Sequence, residues 1–189
     1  MIAESGRAAE VVRRLRDFFR TGAMTLAPVD ARHLVAGISQ QFYAQMREQG
    51  VELDVTDIPA LPVLADRLQI ELVLRNLLAN ALDAVQERPA GARRIMLSAR
   101  VLDSKRIKGS CLQLSVEDSG KGVSEALAAR LFEPFVSSKA SGLGLGLVLS
   151  RAIMEAHGGS LWAEVGAHGI FRLALPLARA EGQETYVAA

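Results

Sequence analysis

An otherwise apolar segment near the middle of the chain carries a single polar stripe, formed by Asn76, Asn80, Asp83 and Glu87. Spacings of three and four residues place these side chains on one face of a helix. A solvated edge is one interpretation, but asparagine forms helices poorly and such an edge usually carries Glu, Lys or Arg. Because amide oxygens suit Mg²⁺, Asn76 and Asn80 are candidate metal ligands and catalytic residues, and Asp83 is a candidate nucleotide contact.

A second candidate is Asp118, which ends an apolar, strand-like run and is followed by Gly120 and Gly122. The pattern D-x-G-x-G taken alone also fits a simple turn. An aspartate at a strand end, where glycines keep the backbone clear of side chains, could instead accept a hydrogen bond from an exocyclic amine. Adenine carries such an amine.

A third candidate is a glycine-rich segment immediately before a predicted helix. It contains Lys139, followed by Gly142, Leu143, Gly144, Leu145, Gly146 and Leu147. A helix N-terminus offers unpaired amides to an anion, glycines let phosphate oxygens approach the backbone, and Lys139 adds a charge. The segment is neither a P-loop nor a dinucleotide-binding loop, because the required lysine and preceding strand are missing. Taken alone, it would more often be a flexible loop.

The composition limits the classes of protein to which the chain can belong. It has 189 residues, of which 50% are hydrophobic, with a formal net charge of +1. We therefore expect one domain with a sizeable core and no nucleic-acid partner. One cysteine, Cys111, predicts a reducing, cytoplasmic setting, and no apolar run reaches the roughly 20 residues of a membrane span. We expect a chain that is not membrane-embedded, and leave open whether a parent protein is membrane-anchored.

Apolar periodicity places these candidates on a mixed set of elements. It predicts helices at about residues 7–20, 30–49 and 65–87, and from the glycine-rich segment to His157, where Gly158 and Gly159 form the cap. Alternating runs near residues 51–55, 95–101, 112–116, 161–165 and 170–175 predict strands. The order predicts an α+β domain with helices on one face of a sheet, preceded by an N-terminal helix. That first helix could pack on its own domain or turn its apolar stripe towards a partner chain.

Four motifs occur together in a characteristic order. They are N-L-L-A-N-A-L-D-A (76–84), D-S-G-K-G (118–122), F-E-P-F (132–135) and G-L-G-L-G-L (142–147). They resemble the asparagine box, first glycine box, phenylalanine box and second glycine box of sensor histidine kinases in order and spacing. The resemblance covers most of residues 30–176. The short loop with S-S-K is similar to the oxygen-sensing and nitrogen-regulatory branch, and residues 13–22 resemble the end of a second dimerisation helix.

The resemblance implies the two-layer α/β sandwich of the Bergerat type, shared with gyrase, a mismatch-repair ATPase and a heat-shock chaperone. It implies that Asn80 coordinates Mg²⁺ with help from Asn76, that Asp118 binds the adenine amine of ATP, and that the glycines shape the pocket and bend a lid over the phosphates. The leucines of the lid would anchor it to the domain. We therefore divide the chain into a dimerisation helix (1–24), a linker (25–29), a catalytic ATP-binding domain (30–177) and a tail (178–189) expected to be disordered.

Two departures from the wider family bear on the reaction. Hydrolases of this fold usually carry a glutamate four residues before the magnesium asparagine, whereas this chain has Asn76 there. This favours transfer to a side chain over transfer to water, although some kinases of the fold retain the glutamate. An ATPase or ATP-gated clamp, and a non-catalytic interaction module, are the alternatives.

The second departure concerns the phosphoryl acceptor. None of His33, His157 and His168 lies in the H-E/D-x-x-x-P-like box of the family. We expect a catalytic fragment whose acceptor histidine lies on a dimerisation domain of the same homodimeric parent, with a response regulator receiving the group. A naturally split kinase and a degenerate ATP-binding module remain open.

Overall fold

The computed structural model describes residues 24–104, 106–107, 109–136 and 144–178. The predicted N-terminal helix therefore lies outside the described residues, as does the tail apart from Ala178. The described elements, in chain order, are β1 (Ala27–Asp30), α1 (Ala31–Glu48), β2 (Glu52–Thr56), β3 (Pro62–Ala65), α2 (Arg67–Ala84), β4 (Arg94–Asp103), β5 (Ser110–Asp118), α3 (Glu125–Ala128), α4 (Gly146–Ala156), β6 (Ser160–Ala163) and β7 (Gly169–Pro176). A short 3₁₀ turn, Val85–Glu87, continues α2.

The main sheet has five strands in the order β2-β4-β5-β7-β6. Only the pairing of β2 with β4 is parallel, while β4–β5, β5–β7 and β6–β7 are antiparallel. The predicted strands near residues 95–101 and 112–116 pair antiparallel as β4 and β5, with Ile95 opposite Asp118 and Asp103 opposite Ser110. This register brings the end of β5 beside the start of β7, where Asp118 faces Gly169.

Helices α1, α2 and α4 cover one face of this sheet and enclose the core. Alternate residues of the central strands, such as Leu97, Leu114 and Leu173, are fully buried in one cluster with the inner faces of the helices. Fully burying one such leucine side chain stabilises the fold by about 1.5–3 kcal/mol. The predicted α+β architecture, a mixed sheet backed by helices, is therefore confirmed.

The region treated as a linker in the sequence forms a strand. Residues 27–30 pair as β1 with β3 in a separate two-stranded sheet, with Pro28 opposite Leu64. Residues 27–29 of the segment assigned to a linker (25–29) are therefore extended and paired, and the linker assignment stays a prediction. Pro28 and Pro62 are compatible with this small sheet, because a proline needs only to avoid the positions that donate to the ladder. The domain boundaries themselves stay predictions.

Capping residues define where the first three helices begin. Asp30 caps α1 by accepting from His33 N–H, Asp66 caps α2 by accepting from Leu68 and Gln69 N–H, and Ser124 caps α3 through Leu127 N–H. The fourth helix, α4, begins after Leu145 and has no side-chain cap. At its other end Gly158 has φ +67°, and Gly159 N–H donates to Met154 O, as expected for a glycine cap.

Two glycines, Gly37 inside α1 and Gly50 just after it, provide a stability test that does not involve the site. A Cβ atom added at either Gly37 or Gly50 would meet nothing within 4 Å, but Gly37 lies inside the helix and Gly50 follows it with φ +64°. We expect Gly37→Ala to raise the free energy of unfolding by about 0.5–1 kcal/mol in urea. The matched Gly50→Ala change should lower it by about 1 kcal/mol or more, because the left-handed conformation is costly for alanine. Equal effects at both positions would contradict this account.

Candidate active site

The polar stripe of α2 lies at the edge of the helix face that packs on the core. Leu77 and Leu78 are fully buried, whereas Asn76 and Asn80 are half-buried and Asp83 is exposed. Glu87 lies beyond α2 in the 3₁₀ turn and pairs with Lys121 at 3.3 Å. The stripe is therefore partly accessible and runs along a helix whose other faces are fixed by packing.

The start of α4 packs directly against Asn76. A Cβ atom on Gly146 would collide with Asn76 Oδ1, so any larger residue would require the Asn76 side chain to move. Asn76 Nδ2 donates to Ser150 Oγ at 3.0 Å, and Ser150 is 2% exposed. Ser150 was missed in the sequence, where its only signal is a polar residue one turn into an apolar helix. These contacts fix the Asn76 amide beside the first turn of α4.

The first turn of α4 leaves backbone amides available beside the stripe. Leu149 N–H donates to Leu145 O, which is the first bond of the helical ladder, and Leu145 provides no side-chain cap. The preceding amides, from Gly146 to Val148, therefore have no acceptor within the helix. Together with the helix dipole they form an electropositive end, which favours an anion.

The segment before α4 returns to the residues that precede it. Gly144 has φ +65°, and a Cβ there would lie 2.6 Å from backbone atoms of Phe135 and Val136. Gly144 and Val136, the described residues on either side of 137–143, are therefore in contact. Lys139, Gly142 and Leu143 lie outside the described residues, so their predicted roles stay predictions. Among the remaining leucines, Leu147 packs against the main core.

Asp118 lies at the end of β5 with its side chain almost fully buried, 5% exposed. Its carboxylate accepts the N–H of Gly120 at 2.8 Å and is also hydrogen-bonded by the backbone of Gly169. Burial raises the pKa of Asp118, while these two hydrogen bonds and the charge of nearby His168 oppose the rise. A Cβ on Gly169 would occupy the space of the carboxylate, so Gly169 is a site residue that the sequence reading missed.

Gly120 and Gly122 bring Asp118 towards the end of α2. A Cβ on Gly120 would lie 2.9 Å from Ala84 O, in the last turn of that helix. Gly122 has φ +75°, and a Cβ there would collide with Gly166 O. Both glycines therefore serve close backbone approaches. One helix, α2, thus carries Asn76 and Asn80 at its centre and reaches Asp118 at its C-terminal end.

The three histidines differ in their surroundings. His33 is exposed on α1, 3.8 Å from Asp30, and His168 is exposed beside Asp118. His157 is buried and uses both ring nitrogens, since Nε2 accepts from Asp66 N–H and Nδ1 contacts Ile153 O at 2.7 Å. None of the three belongs to the contacts described around Asn76.

Other kinds of site are limited by what the described residues lack. These residues contain no group of three or more His, Cys, Asp or Glu side chains that could hold a metal ion. No helix in the same part of the chain is long and apolar enough to cross a membrane.

The comparison with known families agrees with this geometry. Residues 65–179 match the family described as histidine kinase-, DNA gyrase B- and HSP90-like ATPases. The chain belongs to this ATPase family. Within it, the chain is 37% identical over 175 residues to the sensor protein FixL of Bradyrhizobium diazoefficiens, covering 91% of this chain and 33% of the relative. The chain therefore spans about a third of the length of that relative.

Solved structures place this ATPase domain among the sensor histidine kinases. The catalytic domain of histidine kinase ThkA is 28% identical with a TM-score of 0.67, covering 81% of this chain and 96% of that domain. Full-length ShkA, solved in complex with AMPPNP, is 30% identical with a TM-score of 0.73, covering 94% of this chain and 37% of that protein. The chain is thus an ATP-binding domain of the sensor histidine kinase type, as its motifs predicted.

The raised pKa of Asp118 predicts how stability changes with pH in this ATPase domain without nucleotide. Because the folded pKa exceeds the unfolded value, the folded state binds the proton more tightly, and stability rises as pH falls through the folded pKa. We expect the wild type to gain stability relative to Asp118→Asn as pH is lowered from about 7 to about 4. Urea unfolding of both proteins across this range measures the difference. A difference that does not change with pH would contradict the assignment.

Proposed function

We propose that this chain binds Mg-ATP and transfers its γ-phosphoryl group to a histidine on a dimerisation domain, for relay to a response regulator. The observation that carries the proposal is the packing of the uncapped start of α4 on Asn76, along the same helix that reaches Asp118. We further propose a homodimeric parent that works in the cytoplasm, with no nucleic-acid partner.

The geometry supports one orientation of the nucleotide. Asp118 would accept a hydrogen bond from the adenine amine, and its backbone donors hold the carboxylate in place for that bond. Asn76 and Ala84, which contacts Gly120, are eight residues apart on α2, or about 12 Å along the helix axis. A nucleotide lying along α2 would bring its phosphates to the amides at the start of α4. Full-length ShkA, a similar protein, was solved in complex with AMPPNP, and this supports the proposal that the present chain binds a nucleotide.

The residues beside the phosphate end fit Mg²⁺ in their donor chemistry. Asn76 and Asn80 are half-buried amides on one face of α2, and Asn76 is fixed by Ser150. Mg²⁺ takes six oxygen ligands, keeps several waters and is commonly held by one or two side chains plus phosphates. Asn80 would supply an amide oxygen and Asn76 would assist. The bound ion would neutralise charge on the phosphates.

Transfer of the γ-phosphoryl group to a side chain is favoured over hydrolysis because the residue one turn before Asn80 is Asn76. Asn76 has an amide, which cannot accept a proton from an attacking water as a carboxylate could. Its Nδ2 is also committed to Ser150. Phosphoryl transfer depends mainly on positioning and charge neutralisation, so a bound nucleotide needs an acceptor held in line with the γ-phosphate.

Nucleotide binding should appear as added stability. At a hundredfold excess over its Kd, Mg-ATP should raise the free energy of unfolding by about 2.7 kcal/mol. Asn80→Ala should remove the part that depends on magnesium, and Asp118→Ala should abolish the preference for adenine over guanine nucleotides. Arg75→Ala is the matched control, since Arg75 is exposed on the same helix and contacts Gln41 on the side facing α1. Thermal-shift titration measures all four proteins, and no shift in a folded wild type would refute nucleotide binding.

The chain alone should bind ATP without phosphorylating itself on histidine. His157 has both ring nitrogens engaged, and His168 lies beside Asp118 rather than at the phosphate end. Incubation with γ-labelled ATP should leave no acid-labile label on this chain and release little phosphate. A dimerisation hairpin carrying the acceptor histidine, added in trans, should become labelled.

Two results would contradict this prediction in different ways. Acid-labile label lost when one of the three histidines is replaced would refute the external acceptor. Rapid phosphate release without any hairpin would instead support the ATPase alternative.

A further inference from the structure

The N-terminal end of α2 is a hydrogen-bond junction centred on Asp66. Its carboxylate is 8% exposed. Oδ1 accepts Leu68 N–H at 3.1 Å and Gln69 N–H at 3.2 Å, which caps the helix, and Oδ2 accepts Thr25 N–H at 3.1 Å. One side chain therefore ties the start of α2 to the segment that leads into β1, forty-one positions earlier in the chain.

The backbone of the same residue reaches the opposite end of α4. Asp66 N–H donates to Nε2 of His157 at 3.0 Å, which leaves the ring proton on Nδ1, where it bonds Ile153 O at 2.7 Å. His157 is the C-cap of α4 and is 3% exposed. The imidazole thus joins the last turn of α4 to the first residue before α2.

These bonds give α2 and α4 two fixed points of contact. One is the Asp66–His157 bond, and the other is the approach of Gly146 and Ser150 to Asn76. The points are ten residues apart on α2, or about 15 Å along its axis. Apolar packing alone lets helices slide by small amounts, as shear motions show, whereas a directional hydrogen bond at the far end fixes the axial position. The Asp66–His157 bond therefore also sets where the first turn of α4 lies along the axis of α2, beside Asn76 and Asn80.

We propose that Asp66 and His157 are positioning residues for the phosphate end of the nucleotide site, and that Thr25 links this position to the preceding chain. The inference rests on the proposed function and deepens it. The adenine end should be insensitive to this junction, because β5–β7 pairing and the close approach of Gly120 to Ala84 hold Asp118. A purely structural role for the junction would instead weaken all ligands together through loss of folded protein.

Paired substitutions separate the bonds of the junction. In His157→Gln the amide can reach the place of Nε2 and accept from Asp66 N–H, whereas the shorter His157→Asn reaches only the place of Nδ1. Asp66→Asn keeps a good helix cap but turns an amide donor towards Thr25 N–H, so it breaks only that link. Circular dichroism confirms folding, and calorimetric titrations with Mg-AMPPNP and with adenosine are made well below each melting temperature.

We expect His157→Asn to weaken Mg-AMPPNP binding about tenfold, which lies within the range measured for coupling through packed residues. His157→Gln should restore it to within about twofold, and Asp66→Asn should weaken it about threefold. Adenosine affinity should stay within about twofold in all three variants.

Three results would overturn parts of this account. Equal losses for both ligands, or no loss in His157→Asn, would overturn the positioning role. Unchanged Mg-AMPPNP binding in Asp66→Asn would overturn the link through Thr25. A wild type that binds neither ligand would refute the proposed nucleotide function itself, which is a different result.

Discussion

The close approach of α4 to α2 is the contact on which the candidate site depends. The distance between packed helices follows from the side chains at their contact, and here one side of that contact is Gly146, with no side chain, and the small Ser150. A larger residue at position 146 would require the Asn76 side chain to move, which would change the contact that places the first-turn amides of α4 beside the polar stripe.

The Asp118 end of the site lowers the stability of the fold. Asp118 is buried, and burial of a carboxylate is unfavourable unless hydrogen bonds compensate. The sheet register supplies that compensation, because it sets Asp118 opposite Gly169, whose backbone bonds the carboxylate and whose missing Cβ leaves room for it. Fully buried core residues such as Leu77 and Leu114 stabilise the fold and offset this cost.

Features that arise from neighbouring residues could be predicted from the sequence, and features that join distant residues could not. Periodicity located α1, α2 and the strands of the main sheet. The four motifs pointed to Asn76, Asn80, Asp118 and the glycines near them. The partners of these residues were missed, since Ser150 lies 74 positions from Asn76 and His157 lies 91 positions from Asp66. The strand pair β1–β3 was missed because Pro28 and Pro62 argue against a central strand and are tolerated only at sheet edges, first strand positions or bulges.

The pattern of helix caps also supports the proposal of an anion site at the start of α4. Asp30, Asp66 and Ser124 each satisfy a backbone donor at the start of a helix, and such a cap contributes about 1 kcal/mol. The start of α4 lacks one, although its last turn is closed by Gly158 and His157. The first-turn amides of α4 have no acceptor inside the helix and no cap from the Leu145 side chain, which suits an anionic ligand. Because Asn76 fixes that end in place, the proposed binding of phosphate there would cost little ordering entropy.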